Sequence, residues 1–142
     1  MHRRKSKKKD PRAPSAPPGL EVRRIRGKGR GVFATRGFLK GEVIERCPVI
    51  PLTEKEWKRI GKTRLGDYVY DWTPDGEGCA LILGLGSLYN HSYRPNARNH
   101  NEVRLGFMEF LADRTIRAGE EITVNYNDED DLHDELWFTV ES

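Results

Sequence analysis

Glycine and proline divide this 142-residue chain into short segments. The sequence holds 14 glycines and eight prolines, and its longest nearly apolar run, Cys79–Leu85, is only seven residues long. Runs of this length suit β-strands and are too short to cross a bilayer. Only Thr53–Glu56 has the form of a helix-capping box, which predicts one short helix from about Glu54 to Gly61. The frequent glycines and prolines, the short apolar runs and the one capping box therefore favour a mainly β domain with a single helix.

The predicted strands are short and are bounded by turn residues. They lie over Leu20–Ile25, Val32–Ala34, Glu42–Leu52 (one or two strands, held at an edge or bend by their prolines), Asp67–Trp72, Cys79–Leu83, Val103–Phe107 and Ile122–Val124. Between the first two strands, Gly27–Gly31 predicts a loop without regular structure. Because this loop leads into a strand and not into a helix, it does not match a P-loop or dinucleotide site. It is either a tight turn or a place where a ligand approaches bare backbone.

Charge is distributed unevenly along the chain. Residues 1–19 carry seven basic residues and one acid, a net charge of +6, so residues 20–142 carry −3 of the overall +3. The basic segment has almost nothing to bury and is predicted to be a disordered tail, with residues 1–12 as the place for any weak nucleic-acid contact. Residues 20–142 are predicted to form one domain.

The two cysteines and the hydropathy pattern restrict the class of protein. Cys47 and Cys79 are isolated, which disfavours a disulfide framework or a structural zinc site and predicts buried thiols. No hydrophobic segment follows the basic N-terminus. We expect a soluble intracellular protein without a membrane contact.

Two further stretches contain polar residues that suit a binding site. Asn90–Asn96 follows the apolar run abruptly, and its amides and imidazole could either bind a ligand or cap a turn after a strand. Gly119–Tyr126 reads as a strand that ends on a tyrosine, a common place to present a functional group. The adjacent Glu120 and Glu121 point to opposite faces of such a strand, so they are interpreted as structural and not as an acid–base pair.

Taken together, three stretches resemble the SET-domain protein-lysine methyltransferases. These are Gly29–Ala34, Asn90–Asn96 and Gly119–Tyr126, which occur in the family's order within a resemblance that covers about Leu20 to Asp128. One such motif would be weak evidence, and three in order are strong. The compact length is similar to the minimal single-domain SET proteins of viral and bacterial type, which lack cysteine-rich flanks.

The resemblance implies a fold and a cofactor. The fold is a β-clip of small curved sheets in which the Asn90 segment is threaded under the C-terminal segment as a pseudoknot. The cofactor is S-adenosylmethionine, without a metal. The resemblance assigns to cofactor binding Lys28, Gly29, Arg30, Asn90, His91, Tyr126 and Trp137, with His91 acting through its backbone.

The resemblance also assigns the chemistry. Tyr126 matches the family's catalytic tyrosine, and Tyr68 is matched to a second tyrosine that lines the lysine channel. A lysine with an ordinary pKa of about 10.4 is charged at pH 7, so freeing its lone pair costs about 4 to 5 kcal/mol. A cationic sulfonium nearby lowers the pKa of that lysine, which leaves alignment as the main task and removes the need for a general base.

The implied function is transfer of a methyl group to the lysine ε-amine of a histone tail or another basic protein. Six acids among residues 128–135 would draw in such a substrate, or they form a solvated acidic end. A catalytically silent SET-like module that binds basic tails is the alternative. Asp128 stands where the family often has an aromatic residue, which leaves the number of methyl groups open. The likeness to minimal SET proteins also leaves a homodimer open, and the compartment would be cytoplasm or nucleoid in a bacterium and nucleus or chromatin otherwise.

Overall fold

The computed structural model describes residues 16–27, 29–75 and 78–125. Within these ranges the chain forms nine strands, one α-helix and two short 3₁₀ turns, the latter at Arg64–Tyr68 and Gly86–Leu88. The helix α1 spans Glu54–Ile60. The strands are β1 (Leu20–Ile25), β2 (Gly29–Ala34), β3 (Val43–Leu52), β4 (Val69–Asp71), β5 (Cys79–Ile82), β6 (Asn90–His91), β7 (Ala97–Glu102), β8 (Phe107–Ala112) and β9 (Glu121–Val124).

The strands form two small sheets. One has four strands in the order β1-β2-β9-β6, and the other has five in the order β4-β5-β3-β8-β7. The pairs are antiparallel except β6 with β9, which run parallel. Because β9 lies between β2 and β6, it joins the start of the described chain to the middle. The predicted mainly β fold of small sheets is confirmed.

One hydrophobic cluster receives side chains from both sheets. Its largest fully buried members include Phe38, Tyr89, Phe110 and Met108. The tilted rings of Tyr89 and Phe110 lie 4.5 Å apart, which links the segment before β6 to β8. The two sheets therefore share a core. The predicted burial of both cysteines is confirmed.

The predicted helix is confirmed with its cap. The Thr53 side chain accepts from the Glu56 backbone N–H, and the Glu56 carboxylate accepts from the Thr53 N–H at 3.0 Å. α1 buries none of its residues, so local capping contributes much of its stability. In the described part of the chain, no helix is long and apolar enough to cross a membrane.

Two of the local predictions are wrong, and one strand was not predicted. Gly29–Gly31 is not an irregular loop, because it pairs with β1 and forms the first half of β2. Val103–Phe107 is not a strand, because residues 103–106 turn the chain between β7 and β8. The polar strand β7 was missed altogether.

The segment predicted as one or two strands is one continuous strand, β3, which lies between β5 and β8 in the order of its sheet. Each half of β3 is paired on one side only, so its prolines keep the edge setting that the sequence predicts. Its pairing with β8 ends at Pro48 and its pairing with β5 begins at Val49, so Pro48 falls where the partner strand changes. A missing N–H costs little at such a position.

Candidate active site

The site is built where β6 and β9 run side by side. Asn90 pairs with Thr123 and His91 pairs with Val124, and the Ser92 N–H donates to the Val124 carbonyl at 2.9 Å. These contacts hold the predicted asparagine stretch against β9. The parallel pairing agrees with the crossing that the resemblance implies, and the threading itself stays a prediction.

Asn96 fastens the same two segments together. Its Nδ2 donates to the Glu121 carbonyl at 2.8 Å, and its Oδ1 accepts from the Thr123 N–H at 2.9 Å. The side chain is almost fully buried. The amide thus takes the place of a neighbouring strand for β9, which satisfies backbone groups that burial would otherwise leave without a partner.

Asn90 connects three strands through its side chain. Its Nδ2 donates to the Arg30 carbonyl of β2 at 2.9 Å and to the Glu121 Oε2 of β9 at 2.7 Å. The two contacts use both hydrogens of the amide and so fix its orientation. Asn90, Arg30 and Glu121 lie 31 or more residues apart in sequence, and the fold brings them to one point.

Glycines keep the neighbouring backbone of β2 bare. A Cβ on Gly31 would lie 2.5 Å from Glu121 Oε2, 2.6 Å from Ile25 Cδ1 and 3.0 Å from Asn90 Nδ2, so no larger residue fits without a shift. Gly29, two residues earlier on the same face, has a φ of +82° and would meet nothing within 4 Å. At Gly29 this face of β2 is open, whereas at Gly31 the side chains of Glu121, Ile25 and Asn90 pack directly on the backbone.

The groups around Asn90 suit the amino-acid part of S-adenosylmethionine. The Asn90 Oδ1, the Arg30 carbonyl and the Glu121 carboxylate are all hydrogen-bond acceptors, and an ammonium group requires acceptors. The open backbone at Gly29 permits close approach. Among the predicted cofactor residues, the structure brings together Gly29, Arg30, Asn90 and His91, whereas Lys28, Tyr126 and Trp137 lie outside the described residues.

His91 is built into the interior. Only 6% of its surface is exposed, and burial lowers the pKa of its imidazole below the ordinary value of 6.5. Its ring meets the edge of Tyr93 with 4.6 Å between centroids. A neutral, enclosed imidazole is poorly suited to proton transfer with a substrate, which favours the predicted backbone role.

Tyr68 is tied to the segment that leads into the site. It ends the 3₁₀ turn Arg64–Tyr68, and its carbonyl accepts from the Ser87 hydroxyl at 3.0 Å. The same hydroxyl lies 2.9 Å from the Ile82 carbonyl. Ser87 precedes Asn90 by three residues, so the two predicted parts of the site share one connection, and the channel role of Tyr68 stays a prediction.

The sequence reasoning missed the part played by Glu121. The Glu120 carboxylate accepts from the Arg117 N–H at 2.6 Å and closes a turn, as a structural residue would. The Glu121 carboxylate instead binds Asn90. The sequence did contain a signal for this role. Adjacent residues of a strand point in opposite directions, so one of the two glutamates could have been expected to face the site.

Comparison with known proteins places this geometry in a family. The SET-domain sequence profile matches residues 29–127, which include Gly29, Asn90 and Tyr126. The chain belongs to the SET-domain family. The predicted family is confirmed, and with it the β-clip class of small curved sheets.

Two curated relatives and one solved structure show what the chain is similar to. The histone-lysine N-methyltransferase, H3 lysine-37 specific, of Schizosaccharomyces pombe is 35% identical over 124 residues, covering 87% of this chain and 79% of that protein. N-lysine methyltransferase KMT5A-A of Xenopus laevis is 30% identical over 122 residues, covering 78% of this chain but 36% of that protein. A Plasmodium falciparum crystal structure, described as a proposed histone methyltransferase, has a TM-score of 0.64 at 30% identity and covers 78% of this chain and 95% of that one. The predicted enzyme class, protein-lysine methyltransferase, is confirmed by these matches.

Proposed function

We propose that this SET-domain protein transfers a methyl group from S-adenosylmethionine to a lysine of a histone or another basic protein. SET-domain methyltransferases use this cofactor, and the fission-yeast relative acts on lysine 37 of histone H3 by its name. Histone H3 is therefore the first substrate to examine. Chromatin is the setting that such a substrate implies.

One observation carries the proposal beyond family membership. The Asn90 amide is held by the Arg30 carbonyl and by Glu121, beside a face of β2 that has no side chains at Gly29 and Gly31. A catalytically silent module would have no need to keep these acceptors and this bare backbone together. The arrangement supports cofactor binding.

Some of the predicted site residues would bind the cofactor, and others would align the substrate lysine. When bound, S-adenosylmethionine supplies a methyl group activated by a positively charged sulfur. Asn90 and the Arg30 carbonyl would hold its amino group, and the His91 backbone and Trp137 would hold its adenine. Tyr126 and Tyr68 would align the lysine nitrogen, a positioning task that requires no general base.

Radiolabelled S-adenosylmethionine and a panel of histones and unrelated basic proteins test the proposal. We expect label in histone H3 with the wild type, and at least about a hundredfold less with Tyr126→Phe. Calorimetry with S-adenosylhomocysteine should show binding to the wild type and to Tyr126→Phe, and strongly weakened binding to Asn90→Ala. Asn99→Ala changes an amide on β7, where Asn99 contacts Asn101, and serves as the matched control.

Each outcome separates the enzyme from the silent module. Cofactor binding without transfer to any protein in the panel would favour the module that binds basic tails. No binding of S-adenosylhomocysteine by the wild type would contradict both the cofactor and the enzyme. Mass spectrometry of the labelled histone identifies the lysine and counts the methyl groups.

A further inference from the structure

A carboxylate is buried on the other side of the segment that leads into Asn90. Glu45 lies on β3 with 8% of its surface exposed, although carboxylates are seldom buried in folded proteins. Glu45 makes none of the ion pairs found among the described residues. The burial of this group therefore has to be compensated by hydrogen bonds.

A strand irregularity turns Glu45 inward. The register of β3 against β8 shifts between Val43 and Glu45, so Ile44 and Glu45 are both buried instead of alternating. A β-bulge re-aims side chains in this way, and bulges occur frequently beside active sites. Arg46, the next residue, is exposed again and pairs with the carboxylate of Glu109.

Both carboxylate oxygens of Glu45 bind the segment before Asn90. Oε1 accepts from the Tyr89 hydroxyl at 2.8 Å, and Oε2 accepts from the Leu85 N–H at 3.1 Å. A Cβ on Gly84, whose φ is +63°, would lie 2.6 Å from Oε2, so the loop is closely packed on the carboxylate. Tyr89 is fully buried and keeps its proton, because burial and the nearby Glu45 raise the pKa of its hydroxyl.

Tyr89 immediately precedes Asn90, and this links the buried carboxylate to the site. Neighbouring residues of an extended segment point in opposite directions, so a Tyr89 side chain fixed toward the core fixes the Asn90 side chain toward Arg30. Glu45 holds both Leu85 and Tyr89, at the two ends of the turn Gly86–Leu88. It thus determines where the chain enters β6.

We propose that Glu45 is a positioning residue for the cofactor site, which acts through Tyr89 to set the orientation of Asn90. The inference rests on the proposed function, since it assumes that Asn90 binds the cofactor. Its physical content is independent of the activity, because the orientation of the Asn90 amide can be observed in the protein alone. A carboxylate that only stabilised the core would leave that orientation and the cofactor affinity unchanged.

The test compares Glu45→Gln with Glu109→Gln in the full chain. Both changes remove a charge from the same sheet, but the partner of Glu109 is the exposed Arg46. We expect Glu45→Gln to weaken S-adenosylhomocysteine binding about tenfold, because a neutral amide has one acceptor oxygen and cannot accept from both the Leu85 N–H and the Tyr89 hydroxyl as the carboxylate does. The KM for the cofactor should rise with it, while the KM for the lysine substrate and kcat stay within about twofold of the wild type. Glu109→Gln should change neither.

Two further measurements test the role of Glu45 independently and can contradict it. Tyr89→Phe removes only the hydroxyl and should weaken binding in the same direction, and adding it to Glu45→Gln should cause little further loss. The side-chain amide signal of Asn90 in an NMR spectrum, identified by its absence in Asn90→Ala, should shift in Glu45→Gln and stay in place in Glu109→Gln. A lower melting temperature for Glu45→Gln with the Asn90 signal and cofactor affinity of the wild type would overturn the proposal. If the wild type fails to bind S-adenosylhomocysteine, the proposed function fails, and the NMR comparison still decides the role of Glu45.

Discussion

At the scale of single residues, Gly31 tests how tightly the site is packed. The space that a Cβ on Gly31 would need is filled by Glu121 Oε2, Ile25 Cδ1 and Asn90 Nδ2. We expect Gly31→Ala to destabilise the fold by about 1 to 3 kcal/mol, as overpacking does, and to weaken cofactor binding because Asn90 must move. Urea unfolding and calorimetry with S-adenosylhomocysteine measure the two effects.

Gly37 provides the matched control. A Cβ there would meet only the Ile116 carbonyl at 3.6 Å, an ordinary contact. Its φ is not positive, so alanine is tolerated and should change the stability by less than about 1 kcal/mol. Equal losses of stability for Gly31→Ala and Gly37→Ala would show that close packing around Asn90 is not the reason for glycine at position 31.

The buried His91 should make stability depend on pH. Burial lowers the pKa of His91 in the folded protein, whereas the unfolded chain titrates near 6.5. The unfolded state therefore binds a proton first as the pH falls, and the free energy of unfolding should decrease from about pH 6.5 downward until the pH passes the folded pKa. Above pH 6.5 this contribution is fully present.

Urea unfolding at intervals between pH 8 and pH 5 measures this dependence. His91→Gln should flatten the decrease, and His100→Gln, which changes an exposed histidine on β7, is the matched control. An unchanged slope in His91→Gln would assign the decrease to other groups.

At the scale of elements, the β1–β2 ladder contains a like-charge pair. Arg24 and Arg30 lie directly opposite each other, and both are exposed. Opposed like charges weaken a strand pair, so Arg24→Glu should raise the stability by about 0.5 kcal/mol, less at high salt. Arg104→Glu in the exposed turn between β7 and β8 changes the charge equally and should have a smaller effect. Melting temperatures at 50 mM and 500 mM salt measure both variants. Equal shifts for Arg24→Glu and Arg104→Glu would show that repulsion between Arg24 and Arg30 does not weaken the strand pair.

The elements that the sequence predicted well are those with local signals. α1 follows from Thr53 and Glu56, three residues apart, and β9 from the apolar positions Ile122 and Val124. β7 carries mostly polar residues, and it exists because every one of its residues pairs with β8. Gly29–Gly31 likewise becomes a strand through β1, against the preference of glycine. Such elements depend on partners that a local pattern does not contain.

At the scale of the whole molecule, the same distinction applies to the site. Asn90 could be identified from its abrupt polar setting and from the family resemblance. Its partners could not, because Arg30 lies 60 residues away and Glu121 lies 31 residues away in sequence. Glu45 was missed for the same reason, since only the irregular pairing of β3 with β8 turns it toward Tyr89.

Net charge gives the last prediction, which concerns how the whole molecule attracts its substrate. Residues 20–142 carry −3, and six acids lie among residues 128–135, shortly after Tyr126. A basic substrate should be drawn toward this end, so Asp→Asn changes at Asp128, Asp130, Asp131 and Asp134 should raise the KM for a histone H3 peptide about threefold to tenfold at 50 mM salt. Since salt screens such fields, the difference from the wild type should vanish near 0.5 M salt, with kcat unchanged throughout.

Steady-state kinetics with the H3 peptide at the two salt concentrations measure this effect. Glu54→Gln combined with Asp113→Asn removes exposed acids elsewhere and should leave the KM at 50 mM salt almost unaltered. A KM increase that persists at 0.5 M salt would point to direct contacts between these carboxylates and the peptide, because such contacts are screened less than a distant field. An unaltered KM at both salt concentrations would instead make the acidic segment a solvated end, since a field strong enough to draw in a basic tail must respond to the loss of four charges.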